Sequence, residues 1–403
     1  MMKIGIVRET RKQENRTPLS PKVIKYLSDK YDNLSFAVQT STDRIFSDDE
    51  YRNYGIQIKE DLSDCDVLFG VKEPENNSLI PHKHYFFFGH MDEKPPYNRE
   101  LLQEIIDKKI TFTDYEFITD EKNNRLIAFG YWAGIAGVYD TFRLYGLKYC
   151  AFELPKLDCS FTKSQILCNL YNVIDKIQEL KIKILLIGNG KVSKGAKALL
   201  DTLGIKYVSA GAFKYMNNIE TCYTIVGAEE LTIDTYGYPY DKDTFTFNPE
   251  RFASRFYPYA EVTDMLLCCH YYRYGSPVYL DERIVKSDRN KIRVIGDITC
   301  DIKGSIATTI RYSSHEYPFY DTDKNLQEVK LFENRDNIST MAVDTLPNAL
   351  AREASEDFAK QVSQYIIPSL LQQDTKININ DATQTYNGEI TQKYRYLLNI
   401  LNR

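Results

Sequence analysis

The chain has no long hydrophobic run. No apolar stretch reaches the roughly 18 residues that a membrane-spanning helix needs, so no membrane association is expected of its 403 residues. Surplus positive charge is also missing, since 51 Lys and Arg face 56 Asp and Glu for a formal net charge of −5. That balance gives no general electrostatic grip on nucleic acid or on an anionic membrane. Closely spaced cysteine pairs are absent. The eight cysteines, at 65, 150, 159, 168, 222, 268, 269 and 300, form no CxxC and have mostly apolar neighbours. They read as reduced thiols of a cytoplasmic protein, with no metal site expected. Charges follow the first apolar residues too closely for a signal peptide. Tryptophan is reduced to one residue, whereas tyrosine rises to 31. Many of these tyrosines lie between 207 and 319, as an aromatic surface or as plain compositional bias.

A hydrophobic share of 43% and a charged share of 27% describe a globular chain. Its length calls for two domains. Strands are expected at 3–8, 34–38, 66–71, 85–89 and 111–117. Helices are expected at 21–30, 47–54 and 98–108. Ser20 stands as N-cap of the first helix, with Pro21 at its first position. A long helix is expected to start near 127–138, where small residues at 130, 133, 134, 136 and 137 allow close packing. Strands follow at 183–187, 206–210, 264–270, 293–298 and 339–343. Residues 211–260 read as less regular. Residues 351–371 read as a long amphipathic helix, 373–385 as a polar connector and 390–401 as a terminal helix. The alternation predicts an α/β fold: two Rossmann-like domains with open, mostly parallel sheets and an interdomain cleft. Residues 1–135 with 340–403 are expected to form the catalytic domain, and 136–339 the dinucleotide-binding domain.

The segment Ile184-Leu185-Leu186-Ile187-Gly188-Asn189-Gly190-Lys191-Val192-Ser193-Lys194-Gly195 reads as strand, glycine turn and helix start. That arrangement binds a pyrophosphate on backbone N–H groups at a positive helix end. Ser193 stands where the fingerprint has its third glycine. The next strand, ending at Ser209-Ala210-Gly211, offers no acid for the adenosine ribose. Ser209 and Lys214 there suit a 2′-phosphate, and a bare hydroxyl held by other groups is equally compatible. The cofactor is therefore NAD or NADP.

Open parallel sheets bind ligands at the C-terminal ends of their strands. That rule selects Lys72, His90, Asp297 and Asp301. A lysine beside a histidine suits a substrate with carboxylate and carbonyl groups, because one orients and polarises while the other exchanges protons near neutrality. Taken singly, each of Lys72, His90 and Arg16 reads more readily as a residue without function, Lys72 as a solvated loop lysine. Tyr271-Tyr272-Arg273-Tyr274 follows the strand ending at His270, where Arg273 is a candidate substrate-binding residue.

Several motifs together resemble the superfamily of alanine dehydrogenase and lysine-forming saccharopine dehydrogenase. They are Val7-Arg8-Glu9-Thr10-Arg11-Lys12-Gln13-Glu14-Asn15-Arg16-Thr17-Pro18, Val71-Lys72-Glu73-Pro74 and Phe88-Gly89-His90. Phe112-Thr113-Asp114-Tyr115-Glu116-Phe117, Ala128-Phe129-Gly130-Tyr131-Trp132-Ala133-Gly134 and Val343-Asp344-Thr345-Leu346-Pro347-Asn348 are closer to the saccharopine dehydrogenase branch. The resemblance implies an NAD(P)-dependent oxidoreductase acting on the C–N bond of an amino acid derivative. It implies Lys72 as catalytic lysine, His90 as a second acid–base group, and Arg16 as the ligand of a substrate carboxylate. Glu73 and Glu116 then tune the lysine and histidine. Gly188, Gly190, Lys191, Val192 and Gly195, with Ser209, Asp301 and Asp344, line the cofactor side. In the alanine dehydrogenase branch the position of Asp301 is a catalytic aspartate. The alternatives are an ammonia-using amino acid dehydrogenase and a dinucleotide-binding protein without catalysis. Small amino acid and keto acid substrates are expected, on a monomer or small homo-oligomer.

Overall fold

A computed structural model describes residues 1–91, 98–217, 219–373 and 377–401. The chain divides into two compact units, one of Met1–Phe129 with Ala351–Arg403 and one of Gly130–Leu350. Each is an α/β unit built on an eight-stranded, mostly parallel sheet. Among the described residues no helix is long and apolar enough to cross a membrane.

In the first unit, Met2–Ile6 pairs in parallel with Leu34–Gln39 on one side and Val67–Phe69 on the other. The sheet continues in parallel through His84–Phe87 to Thr111–Asp114. Side chains alternate across it as a period of two requires. Leu68, Tyr85, Phe87 and Phe112 join Leu101, Leu102 and Ile105 of the helix Arg99–Asp107 in one core. On the other face Phe86 and Phe88 meet Tyr115, and Tyr115 meets Phe358 edge-on. The helix Asp48–Asn53 opens with a complete capping box at Ser47 and Glu50.

The polar segment expected to be a connector is partly sheet. Thr383–Tyr386 pairs antiparallel with Thr111–Asp114, and Glu389–Ile390 extends that edge. Side-chain bonds replace apolar packing there: Thr383 Oγ1 meets Thr113 Oγ1 at 2.8 Å, and Thr385 Oγ1 donates to the Ile110 carbonyl at 2.9 Å. Residues 374–376 of that segment lie outside the described residues. The strand expected to run to 117 stops at Asp114, and Tyr115–Phe117 is a 3₁₀ turn.

In the second unit the strand order, from one edge, is Glu328–Val329, Phe319–Thr322, Ile338–Met341, Val294–Asp297, Met265–Cys268, Lys183–Ile187, Cys222–Val226 and Lys206–Tyr207. The last six are parallel, and the two at the first edge are antiparallel. Ile184 and Leu186 enter a core with the helices Gly130–Tyr149 and Lys191–Thr202, whereas Leu185 and Ile187 pack on Phe213, Leu231 and Phe256. Helices therefore cover both faces. The segment read as irregular holds a central strand, Cys222–Val226. The strand expected at 206–210 is only Lys206–Tyr207, because Ser209 caps the helix Ala210–Tyr215.

Candidate active site

Parallel pairing puts the ends of four neighbouring strands at one rim of the first sheet. Glu9, Glu14 and Arg16 follow Met2–Ile6. Lys72 and Glu73 follow Val67–Phe69, and His90 follows His84–Phe87. Asp114 ends Thr111–Asp114, and Glu116 sits in the 3₁₀ turn beyond it. The sheet topology thus gathers five of the expected residues, Arg16, Lys72, Glu73, His90 and Glu116, at one end of one unit.

Their partners are specific. Arg16 is buried and bound by Glu14 in a fork, Nε to Oε1 at 2.7 Å and Nη2 to Oε2 at 2.6 Å. Its guanidinium lies 4.3 Å from the centre of the Phe129 ring. Nη1 makes no hydrogen bond among the described residues, so one edge of the fork remains for a carboxylate. Burial works to raise the Glu14 carboxyl, but Arg16, with a smaller contribution from Lys72, holds it below its ordinary value. Glu9 accepts from the backbone N–H of Val71 at 2.6 Å and of Lys72 at 2.9 Å. It clamps the turn that carries the lysine. Burial, and then the Glu14 charge, push the Glu9 carboxyl up to about 8. Among the described residues Lys72 Nζ makes no hydrogen bond.

His90 lies on a turn with a left-handed φ of 47°. Its Nδ1 is 3.6 Å from Glu73 Oε2. Burial would raise the Glu73 carboxyl, yet His90 and Lys72 hold it below its ordinary value. Asp114, fully buried, anchors the histidine turn. Its Oδ2 accepts from Gly89 N at 3.1 Å and its Oδ1 from Glu116 N at 2.9 Å. Burial, then the neighbouring Glu116, push its carboxyl up to about 7. Glu116 forms an ion pair with Arg125 at 3.0 Å rather than with the lysine or histidine.

Sequence reasoning passed over Glu9, Glu14, Asp114 and Arg125. The first three lie inside motifs quoted for their neighbours. For Asp114 the signal was a carboxylate in an otherwise buried strand, which costs free energy unless paired or hydrogen-bonded, whereas Glu9 and Glu14 lie in a polar, partly exposed segment that gave none.

In the second unit Gly188 has φ 110°, and a Cβ there would lie 2.8 Å from the Cys269 backbone. Gly190 begins the helix Lys191–Thr202, and a Cβ there would meet nothing within 4 Å. The open space above a 12-residue helix start is the cradle a pyrophosphate requires. These residues fit a dinucleotide. Ser193 is buried inside the helix, and close packing is achieved elsewhere. A Cβ on Gly195 would lie 1.9 Å from the Tyr131 carbonyl oxygen, and one on Gly134 2.1 Å from that of Val192. Val192 itself packs at Gly130.

The other expected residues are dispersed along this unit. Asp301 and Asp344 both act on the Cys300 thiol, which burial holds well above its ordinary value. Asp297 is wholly buried and ties its own loop, accepting from Thr299 N at 3.1 Å and Cys300 N at 3.3 Å and from the Thr309 hydroxyl. Ser209 Oγ accepts from Ala212 N at 3.3 Å. Arg273 is exposed and donates to the Thr246 carbonyl, fastening its loop to the tyrosine-rich segment. That segment is a hairpin of Thr232–Asp234 and Phe252–Ser254 with a short helix, Lys242–Phe247.

Residues 5–136 match the family "Alanine dehydrogenase/PNT, N-terminal domain". The chain is 29% identical to an α-aminoadipic semialdehyde synthase of Arabidopsis thaliana, over 98% of this chain and 41% of that protein. It is 28% identical to the mitochondrial protein of that name from Rattus norvegicus, over 95% of this chain and 46% of that one. The chain therefore spans less than half the length of these relatives. It is 26% identical to a saccharopine dehydrogenase [NAD(+), L-lysine-forming] of Schizosaccharomyces pombe, over 90% of each. In structure it matches an L-alanine dehydrogenase with a TM-score of 0.64 at 14% identity, over 100% of this chain and 99% of the other. That match establishes a two-domain, Rossmann-like fold. The chain is thus similar over residues 5–136 to the N-terminal domain of alanine dehydrogenase, and over nearly its whole length to proteins named α-aminoadipic semialdehyde synthase and saccharopine dehydrogenase.

Proposed function

We propose that the chain is an NAD(P)-dependent oxidoreductase acting on the C–N bond of an amino acid derivative of the saccharopine type. The observation that carries this reading is the rim of the first sheet, where Arg16, Lys72, Glu73 and His90 stand together, with Glu9 and Asp114 fixing the lysine and histidine turns. A bound nicotinamide supplies the hydride acceptor or donor. The chain's own residues bind, orient and move protons. Arg16 takes a substrate carboxylate on the open edge of its guanidinium, held in place by Glu14. Lys72 accepts the proton of a secondary amine as the C–H bond is oxidised to an imine. His90, oriented by Glu73, removes a proton from the water that adds to the imine and returns it to the departing amine. Cleavage then yields a free amino acid and a keto acid.

A reductive screen tests the reading. Purified protein is mixed with NADH or NADPH, one keto acid (2-oxoglutarate, pyruvate or glyoxylate), and ammonia or one amino acid. Loss of the reduced-nicotinamide absorbance with lysine and 2-oxoglutarate is the expected result. Loss only with ammonia assigns the alanine-dehydrogenase-like reaction instead. Failure to bind either dinucleotide removes both.

A further inference from the structure

We propose that the buried hydroxyl of Tyr115 joins the Glu9 carboxyl, which holds the lysine turn, to the Asp114 carboxyl, which holds the histidine turn, in one hydrogen-bonded chain completed by internal water. Tyr115 is then a positioning residue for the reaction proposed above. Its role in that reaction rests on that reading, whereas the chain of hydrogen bonds does not.

Tyr115 opens the 3₁₀ turn after Asp114 and is wholly buried. Its ring centre lies 5.2 Å from that of Phe88 and 5.1 Å, edge-on, from that of Phe358. Phe358 in turn stacks on Phe129. These neighbours are hydrocarbon and cannot accept from the phenol. Among the described residues the hydroxyl makes no hydrogen bond. Burying a hydroxyl without a partner costs free energy, so a partner is expected. The charges that act on Tyr115 are Glu9 and, to a smaller degree, Asp114. Both stand beyond direct reach of the hydroxyl. An internal water with two to four polar neighbours closes such a gap.

The two carboxyls need different things from the phenol. Burial is the largest influence on each. Glu14 raises Glu9 further, against Arg16, and Glu116 raises Asp114, against His90. Glu9 is pushed up to about 8 and Asp114 to about 7, so Glu9 is the one that keeps its proton longer as pH rises. The N–H groups of Val71 and Lys72 that bind Glu9 cannot accept that proton. A phenol oxygen accepts one hydrogen bond while its O–H donates another. Tyr115 therefore accepts from protonated Glu9 and donates toward ionised Asp114. That direction leaves Glu9 neutral at the lysine turn and keeps a negative charge near His90, which favours the protonated histidine.

Carbon-13 NMR of the full chain, labelled at Asp and Glu carboxyls, reads both titrations without requiring turnover. The two resonances are assigned by their loss in Glu9→Gln and Asp114→Asn. Tyr115→Phe keeps the ring and removes the oxygen. Glu9 then loses the acceptor of its proton and should titrate lower. Asp114 loses a donor and should titrate higher. Each shift is expected to be about half a unit to one unit. Water admitted by looser packing would lower both, and simple loss of polarity would raise both. Opposite shifts are the expected result, and shifts of one sign, or none, overturn the chain. Tyr85→Phe removes another buried phenol oxygen of this unit, the acceptor of Ile80 N at 2.8 Å on the other face of the sheet, and should move neither titration. Thermal transitions confirm folding of each variant. If Tyr115→Phe does not fold, the wild-type Tyr115 Cζ resonance decides: steps at both titrations support the chain, and a flat trace overturns it. In turnover, the limb of the pH–rate profile that reports His90 should move to lower pH in Tyr115→Phe, and an unmoved limb overturns the positioning role. Absence of activity with every substrate pair overturns the proposed function and that role with it, while opposite carboxyl shifts would still establish the chain.

Discussion

Asp114 is the residue whose removal has the sharpest consequence. It is fully buried, and each carboxyl oxygen accepts one backbone N–H, from Gly89 at 3.1 Å and from Glu116 at 2.9 Å. In Asp114→Asn one oxygen becomes an NH₂ that faces one of those donors. The lost bond costs about 1–3 kcal/mol. A second effect runs the other way. Burial, then Glu116, push this carboxyl from 3.8 up to about 7 in the folded chain. Between those two values the folded state holds a proton that the unfolded state has released. Wild-type stability from this group therefore falls as pH rises through that window. From about pH 5 to about pH 8 wild type should lose about 2–3 kcal/mol that Asp114→Asn does not lose. The deficit of the variant should narrow by that amount across the range. Urea unfolding of both proteins at the two pH values, followed by circular dichroism, measures the change. A deficit that is the same at both values refutes the claim that Asp114 is protonated near neutrality.

Three further outcomes follow from contacts in the two units. Lys72→Met should abolish turnover while leaving NADH affinity intact, as read by steady-state rates and calorimetry; unchanged turnover removes the lysine from the mechanism. Glu9→Gln can keep only one of the two N–H bonds from Val71 and Lys72. It should lower kcat about tenfold or more through the loosened lysine turn, with rates across pH separating this from simple unfolding. Gly195→Ala places a methyl 1.9 Å from the Tyr131 carbonyl oxygen. That overlap forces two helices apart and should destabilise the second unit by about 1–3 kcal/mol, visible as a lowered thermal transition, whereas Lys197→Ala on the exposed side should not.

Five of the eight strands of the first sheet were legible because each carries a short apolar run bounded by polar or glycine residues. Their C-terminal residues were legible because parallel sheets use that rim. Pattern reading does not reveal a charged group that folds inward. Asp114 looked like one more strand position, and its meaning lies in two backbone donors contributed by Gly89 and Glu116. Thr383–Tyr386 was hidden for the opposite reason. Its threonines satisfy one another and the neighbouring backbone, so a polar sequence fills a buried edge position.

The second sheet shows why chain order is a weak guide to neighbours. The glycine turn was read correctly as strand, turn and helix, yet two conclusions about it depended on which elements touch. Ser193 stood in place of a packing glycine, but the close approach is made between Gly134 and Gly195 on facing helices, so a serine inside the helix costs nothing there. The absent ribose acid was sought on the next strand in sequence. Cys222–Val226, concealed in a tyrosine-rich stretch, inserts between that strand and the glycine-loop strand. A fingerprint defined by spacing along the chain stands in for a relation in space. Where a strand is inserted, the spatial relation persists and the spacing does not, so the search for a missing functional group should follow hydrogen-bonded strand order outward from the glycine turn.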